Sequence, residues 1–426
     1  MGVSSLSPTS KFRTVSSIGR PNGSSNLRTI VNFALVAIGV GILALPRAIA
    51  QGGWVIGTVL MFVAWVVSQY AIYLLWKCMV MLPEGEEPNS FQAIGQKCYG
   101  KIGEVVVAVV LYTDLLMVCS LLVILVGDGM HQLIPSVARI WWCLIFVGIM
   151  MPLAWMPTMK EIAFVSALGI IAAFVTVIAV IIASARETAS PTKEHEYELF
   201  PSSATTATLS FTNFMNAFTV APVIPTLIDD MKRPEGFPKV SSISFAVILC
   251  IFASIAYAGY AGFGHELLAV PNVTFAIADG RSRSDWIVIT VQVAIEIVCF
   301  SHFLVMFNPV CIGVESALDN IRGKTNPYWI KMISRAILMV VCFAIAVTVP
   351  GFGSLVDLVG ATLVMLLQIV FPIVFYVVLS RKYLPDSSAE SKGRSVRYME
   401  YGFMGFCLCL ALIGMVFGTW SAVKSW

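Results

Sequence analysis

Three titratable side chains, Asp114, Glu296 and His302, sit inside long runs of apolar residues. In such surroundings a carboxyl or imidazole either pairs with another side chain or takes up and releases a proton. Asp114 lies about one third of the way along its run, where a protonatable carboxylate facing a water-filled cavity can load and release a proton. It is the first candidate for coupling. His302 follows Ser301 and is the second, because imidazole is the side chain whose ordinary titration range brackets neutral pH. Glu296 lies six residues before His302; at about 100° per residue the two are about 240° apart, so at most one faces a cavity. Arg47 and Asp357 also fall within apolar runs, and pairing inside the protein is expected of them.

Backbone groups offer a second kind of chemistry. Gly39-Val40-Gly41 is followed by Pro46, and Thr219-Val220-Ala221-Pro222 by Pro225. Glycine lets a chain leave the helix and proline removes a ladder hydrogen bond, so both runs can unwind and present free N–H and C=O groups. Within a membrane such backbone is tolerated only where it lines a cavity. Paired breaks at matching positions in two halves point to an inverted-repeat transporter, whose half-helix N-termini bind an anionic group such as a carboxylate. The plainer alternative is that Gly39 and Gly41 only let helices pack closely. Asn213, Asn216 and Thr219 lie on or beside the second break and can contact a substrate's side chain. No Ser-His-Asp, paired-Asp or His-Glu-x-x-His pattern stands out at a fitting depth, so an enzyme is not expected. The ten cysteines show no metal-type spacing, and no disulfide, metal or cofactor is expected.

The elements that must position these groups follow from composition. With 58% hydrophobic and only 12% charged residues, the chain is far from the roughly 25% charge of a soluble domain. A net charge of +3, spread between apolar blocks, gives no nucleic-acid patch. Cutting the chain into stretches of about 20 apolar residues predicts an all-α integral membrane protein with helices near residues 29–51, 54–79, 104–132, 140–156, 161–185, 204–231, 241–262, 286–310, 334–349, 355–379 and 398–423. Phe91, Ile94 and Cys98 are at helical spacing between the second and third spans, which predicts a short surface helix. Residues 1–28 are Ser-rich without an apolar core, and read as a disordered tail, not a cleaved signal peptide; residues 29–426 form the transmembrane domain. Of the 27 Lys and Arg residues, 20 fall on the side of the N-terminus and six on the other, which places the N-terminus in the cytoplasm. The triplet Asn272-Val273-Thr274, a glycosylation sequon, then lies in an outside loop.

The run Gly39-Val40-Gly41-Ile42-Leu43-Ala44-Leu45-Pro46, followed by Gln51-Gly52-Gly53-Trp54, resembles the first-helix signature of the amino acid/auxin permease family. Leu111-Tyr112-Thr113-Asp114-Leu115 and Gly127-Asp128-Gly129-Met130 resemble the third helix of its vacuolar and vesicular branch. Met231-Lys232-Arg233-Pro234-Glu235-Gly236-Phe237 matches the family's Met-x-x-Pro-x-x-Phe element after the sixth helix. The resemblance implies an APC/LeuT-type five-plus-five inverted repeat with an eleventh helix, in a vacuolar, other endomembrane or plasma membrane. It also implies amino-acid transport, commonly driven by protons. Carried over by position, Ile38, Gly39, Val40, Gly41 and Ile42 would receive the substrate's carboxylate and ammonium, and Phe218, Thr219, Val220 and Ala221 would form the facing wall. Leu35 departs from the Asn that many members carry four residues before the first break glycine, which weighs against sodium coupling. The expected partners are an amino acid, protons and the lipid bilayer. The competing expectation is a membrane amino-acid sensor using the same pocket, which usually needs a longer docking tail than residues 1–28.

Overall fold

In hydrocarbon every backbone amide needs an internal partner, and the chain meets that demand with helices. The computed structural model describes residues 23–82, 88–155, 159–189, 195–279, 281–282, 284–349, 351–383 and 394–424. Among these, nine helical stretches are long and apolar enough to cross a membrane, and Arg139–Trp155 adds a shorter apolar helix. Their outward faces confirm the solvent. Val59, Phe62 and Val66, then Trp141, Ile145 and Ile149, then Ile289, Val293 and Ile297, form exposed stripes at helical spacing, which suit lipid and not water.

The first span is split into α1 (Asn26–Ala37) and α2 (Leu45–Gly52), followed by α3 (Thr58–Met81). Ser25 caps α1 by accepting from the Arg28 N–H, so the helix starts slightly earlier than hydropathy predicts. Ser24 lies alongside Met231 and its hydroxyl donates to Asp230 Oδ2 at 2.6 Å, tying the segment before α1 to the chain after the sixth span. The long α4 (Phe91–Leu133) leaves helical geometry at Tyr99 and Gly100, where Gly100 has a φ of 63°. Phe91 to Cys98 is therefore a separate two-turn helix with Phe91 and Ile94 buried, as their spacing predicts.

Next come α5 (Arg139–Trp155), α6 (Met159–Thr188), α7 (Ala204–Ala217), α8 (Ile224–Asp229) and α9 (Phe237–Phe263). A capping box between Ser203 and Thr206 starts α7. The short α10 (Val273–Ala278) is capped by Asn272, whose Oδ1 accepts from the Thr274 N–H and hydroxyl at 2.9 and 2.6 Å. Asn272 is fully buried. This corrects the sequon reading: the side chain serves as a helix cap, and the folded protein leaves no space for a glycan there.

The last group is α11 (Trp286–Arg322), α12 (Tyr328–Thr348), α13 (Phe352–Val359), α14 (Phe371–Tyr383), α15 (Arg394–Ile413) and α16 (Thr419–Lys424). Hydropathy ends the eighth span near Val310, yet α11 runs on to Arg322 and stops where Gly323 adopts the left-handed C′ conformation. Polar residues such as Glu315 and Asp319 continue the helix after the apolar stretch is over. Around the first span, α2 packs on α7 and α9, and α11 packs on α6 and α4. Between α13 and α14, and between α15 and α16, the helix widens into π turns, Gly360–Val364, Leu366–Val370 and Gly414–Gly418. Gly414 and Gly418 come close to Met365 and Ala361, so the two widened stretches fit against each other.

Candidate functional site

The first break begins where α1 ends. Ile38 has φ and ψ of −80° and 82°, Gly39 is extended at −118° and −165°, and Val40–Ala44 forms a 3-10 turn leading into α2. The helix is thus interrupted at Ile38 and Gly39 and continues as a 3-10 turn to Ala44, within the run where the sequence predicts a break. The first N–H groups of a helix have no partner within it, so the 3-10 turn opens with its amides directed back into the break. A Cβ on Gly41 would lie 3.9 Å from Ala217 Cα, and one on Gly39 would lie 3.7 Å from His302 Nε2. A void of about 10 Å³ adjoins Gly39, between Ile42, Thr176 of α6 and Ile295 and Val298 of α11.

The second break separates α7 from α8. Phe218 caps α7, Val220 has a φ of −137°, and Ala221–Val223 makes a 3-10 turn. Phe218, Val220 and Ala221 are buried, while Thr219 and Asn216 are half-buried. The Thr219 hydroxyl donates to the Met215 carbonyl at 2.7 Å, leaving only its acceptor capacity for a ligand. Asn216 has its Cβ 3.5 Å from where a Cβ on Gly360 would lie, and its carbonyl accepts the Thr219 N–H. Because Gly41 approaches Ala217, the last residue of α7 before the second break, the two breaks adjoin.

One side chain missing from the sequence reading completes the second break. Gln368, fully buried between α13 and α14, accepts from the Val220 and Ala221 N–H groups at 3.2 and 3.0 Å and donates through Nε2 to the Phe218 carbonyl at 3.3 Å. Nothing in its local sequence signals this role; only the approach of the tenth span to the sixth does.

A polar chain joins α2, α7 and α13. Arg47 Nη1 donates to Asp357 Oδ2 at 3.2 Å, and Asn213 Nδ2 donates to Asp357 Oδ1 at 2.6 Å and to Gln51 Oε1 at 3.0 Å. Arg47 and Asp357, each unaccounted for in the sequence, are thus partners. Both hydrogen bonds of the Asn213 Nδ2 go to this chain, which braces the helix before the break, while its Oδ1 has no partner among the described residues.

The three coupling candidates occupy different settings. His302 lies against Gly39, on the same face of α11 as Val298 one turn earlier. Asp114 is buried in α4, and its Oδ1 has no hydrogen-bond partner among the described residues. Glu296 is half-buried and accepts from Gln292 Nε2 at 2.7 Å. Ile295, Val298 and His302 share the α11 face toward the first break, and Glu296 is off that face.

At one end of the bundle the segment before α7 lies over the end of α2. The Trp54 and Val55 N–H groups donate to the Glu198 and Leu199 carbonyls at 2.9 and 3.0 Å, and the Trp54 ring packs on Tyr197, Tyr257 and Tyr260. Gly53 has a φ of 70°, and a Cβ there would meet the Leu199–Phe200 peptide at 2.7 Å. Glycine is required at this junction for both reasons.

The model of the family described as transmembrane amino acid transporter protein matches residues 22–424, which includes both breaks and all the side chains above. The chain belongs to that family. Relatives of this transporter include amino acid transporter AVT1J from Arabidopsis thaliana, 26% identical over 95% of this chain and 92% of the relative, and AVT1E from the same plant, 23% identical over 93% and 72%. Among solved structures, it resembles Mhp1, a nucleobase-cation-symport-1 family transporter, in a closed conformation, with a TM-score of 0.58 at 14% identity over 96% of this chain and 92% of that one. The inward-facing conformation of Mhp1 matches equally, with a TM-score of 0.58 at 12% identity over 100% and 95%. The fold of this transporter is therefore the all-helical APC/LeuT type that the sequence resemblance implies, and it is a multi-pass membrane protein of a transporter family, not an enzyme.

Proposed function

We propose that this protein is a proton-coupled secondary active amino acid transporter that binds its substrate between the breaks of the first and sixth spans. In this reading the repeat is five-plus-five with an eleventh helix appended, the N-terminus is cytoplasmic, and residues 29–426 form the transport domain. The observation that supports it is the approach of Gly41, in the 3-10 turn after the first break, to Ala217, the last helical residue before the second break, with no side chain on the glycine between them. Backbone amides at Val40 and Gly41 suit the substrate carboxylate, and the carbonyls of Ile38 and the Phe218–Ala221 stretch suit its ammonium.

Of the three titratable candidates we put His302 ahead of Asp114, a ranking supported by its ring, whose Nε2 would lie 3.7 Å from a Cβ on Gly39 at the first break. Asp114, with an unpartnered carboxylate oxygen, is the second carrier, and Glu296 the third. A proton on His302 would add a positive charge beside the break, favouring an anionic carboxylate there and linking the two loads. The test is uptake of individual amino acids into proteoliposomes with an imposed pH gradient, repeated with sodium replaced by choline. Accumulation should follow the pH gradient, and His302→Gln should retain substrate exchange while losing accumulation. Accumulation that requires sodium, or normal accumulation by both His302→Gln and Asp114→Asn, would refute proton coupling through these groups.

A further inference from the structure

We infer that Gln368 is a positioning residue of the substrate site, holding the sixth-span break in its unwound shape by supplying the hydrogen bonds that the helix has given up. This rests on the proposed substrate site between the breaks.

A chain that leaves the helix strands the C=O groups that precede the break and the N–H groups that follow it, and within a membrane no water is at hand to replace those bonds. Here the released groups are the N–H of Val220, the N–H of Ala221 and the C=O of Phe218, all on buried residues. The Gln368 amide matches this set in sense and number: one oxygen accepts from both N–H groups, and one nitrogen donates to the carbonyl. Reversing the amide would oppose donor to donor and acceptor to acceptor, so the pattern itself fixes its orientation. Gln368 is fully buried, and it stands in the π turn Leu366–Val370. A π turn adds a residue to the helical turn and re-aims the side chains that follow, and such turns recur at functional sites.

Two consequences follow. The N–H groups of Val220 and Ala221 are already occupied, which leaves the first break as the source of amides for a substrate carboxylate. The wall that faces Gly41 has its shape before the substrate arrives, so binding energy is not spent on forming it.

The experiment uses full-length purified protein. The common amino acids are screened by thermal stabilisation, and the one that stabilises most is used in equilibrium binding from acid to alkaline pH. Gln368→Leu removes all three hydrogen bonds and should weaken binding roughly tenfold or more. Gln368→Glu keeps the acceptors but opposes its carboxylate to the Phe218 carbonyl unless it carries a proton. Its affinity relative to wild type should therefore recover as pH falls, a dependence that a merely space-filling residue would not produce. Equal affinity and equal pH profile in wild type and both variants would overturn the inference alone. Tighter binding by Gln368→Leu would overturn it too, since the amide would then be competing with the substrate. Loss of monodisperse folded protein in both variants would also overturn it, by making Gln368 a determinant of the fold. A wild-type protein that binds no amino acid would sink the proposed site and this inference together.

Discussion

Replacing Asp357 by Asn removes one charge and keeps the shape of the side chain at the centre of the Arg47–Asp357–Asn213–Gln51 chain. Asp357 is 1% exposed and accepts from both Arg47, at 3.2 Å, and Asn213, at 2.6 Å. An asparagine can still accept from Asn213, but its nitrogen then faces the guanidinium, donor against donor. Hydrogen bonds to charged groups contribute about 1.5–3 kcal/mol, and stranding one member of a buried pair costs about 3–5 kcal/mol. Arg47 is 17% exposed and keeps part of its hydration, so a loss of about 2–3 kcal/mol is expected. Arg47→Met should cost a similar amount, because it strands the carboxylate, while the double variant should recover much of the loss. The assay is reversible unfolding in detergent micelles for the wild type, both single variants and the double variant, with uptake measured in parallel. Uptake should fall in both single variants, since the pair joins the half-helix α2 beyond the first break to α13. If the two losses add to within about 0.5 kcal/mol in the double variant, the residues do not act on each other and the reasoning fails.

At the first break, Gly41→Ala should bind substrate, because its Cβ would sit 3.9 Å from Ala217 Cα, whereas Gly41→Leu should abolish binding in a protein that still inserts and purifies normally; normal binding by the leucine variant would remove the site from between the breaks. Gly53→Ala should destabilise by at least about 1–2 kcal/mol from the left-handed backbone alone, with more from overlap with the Leu199–Phe200 peptide, and should free the segment over α2. Protease cleavage between α6 and α7 reports that release, and unchanged cleavage and stability would count against it.

Much of this protein is legible in one dimension because the bilayer reads the chain locally. A stretch of about 20 apolar residues spans hydrocarbon whatever its neighbours do, so composition and hydropathy determine the class. The same holds for the breaks: Gly39-Val40-Gly41 and the prolines after Thr219 alter the backbone where they stand, and the structure unwinds there. Even the surface helix of Phe91, Ile94 and Cys98 follows from its own spacing. Tertiary structure decides the partnerships. Arg47 and Asp357 are 310 residues apart in sequence, and Gln368 lies 148 residues from Val220, so no local pattern can reveal which buried polar group satisfies which. Asn272 shows the converse, a triplet whose local meaning is a surface site but whose side chain is buried as a helix cap. His302 gains its standing in the same way, since hydropathy places it in a span but only the packing of α11 against the first break brings its ring to Gly39. Local chemistry sets where the backbone breaks, and long-range packing sets which side chains attend the break.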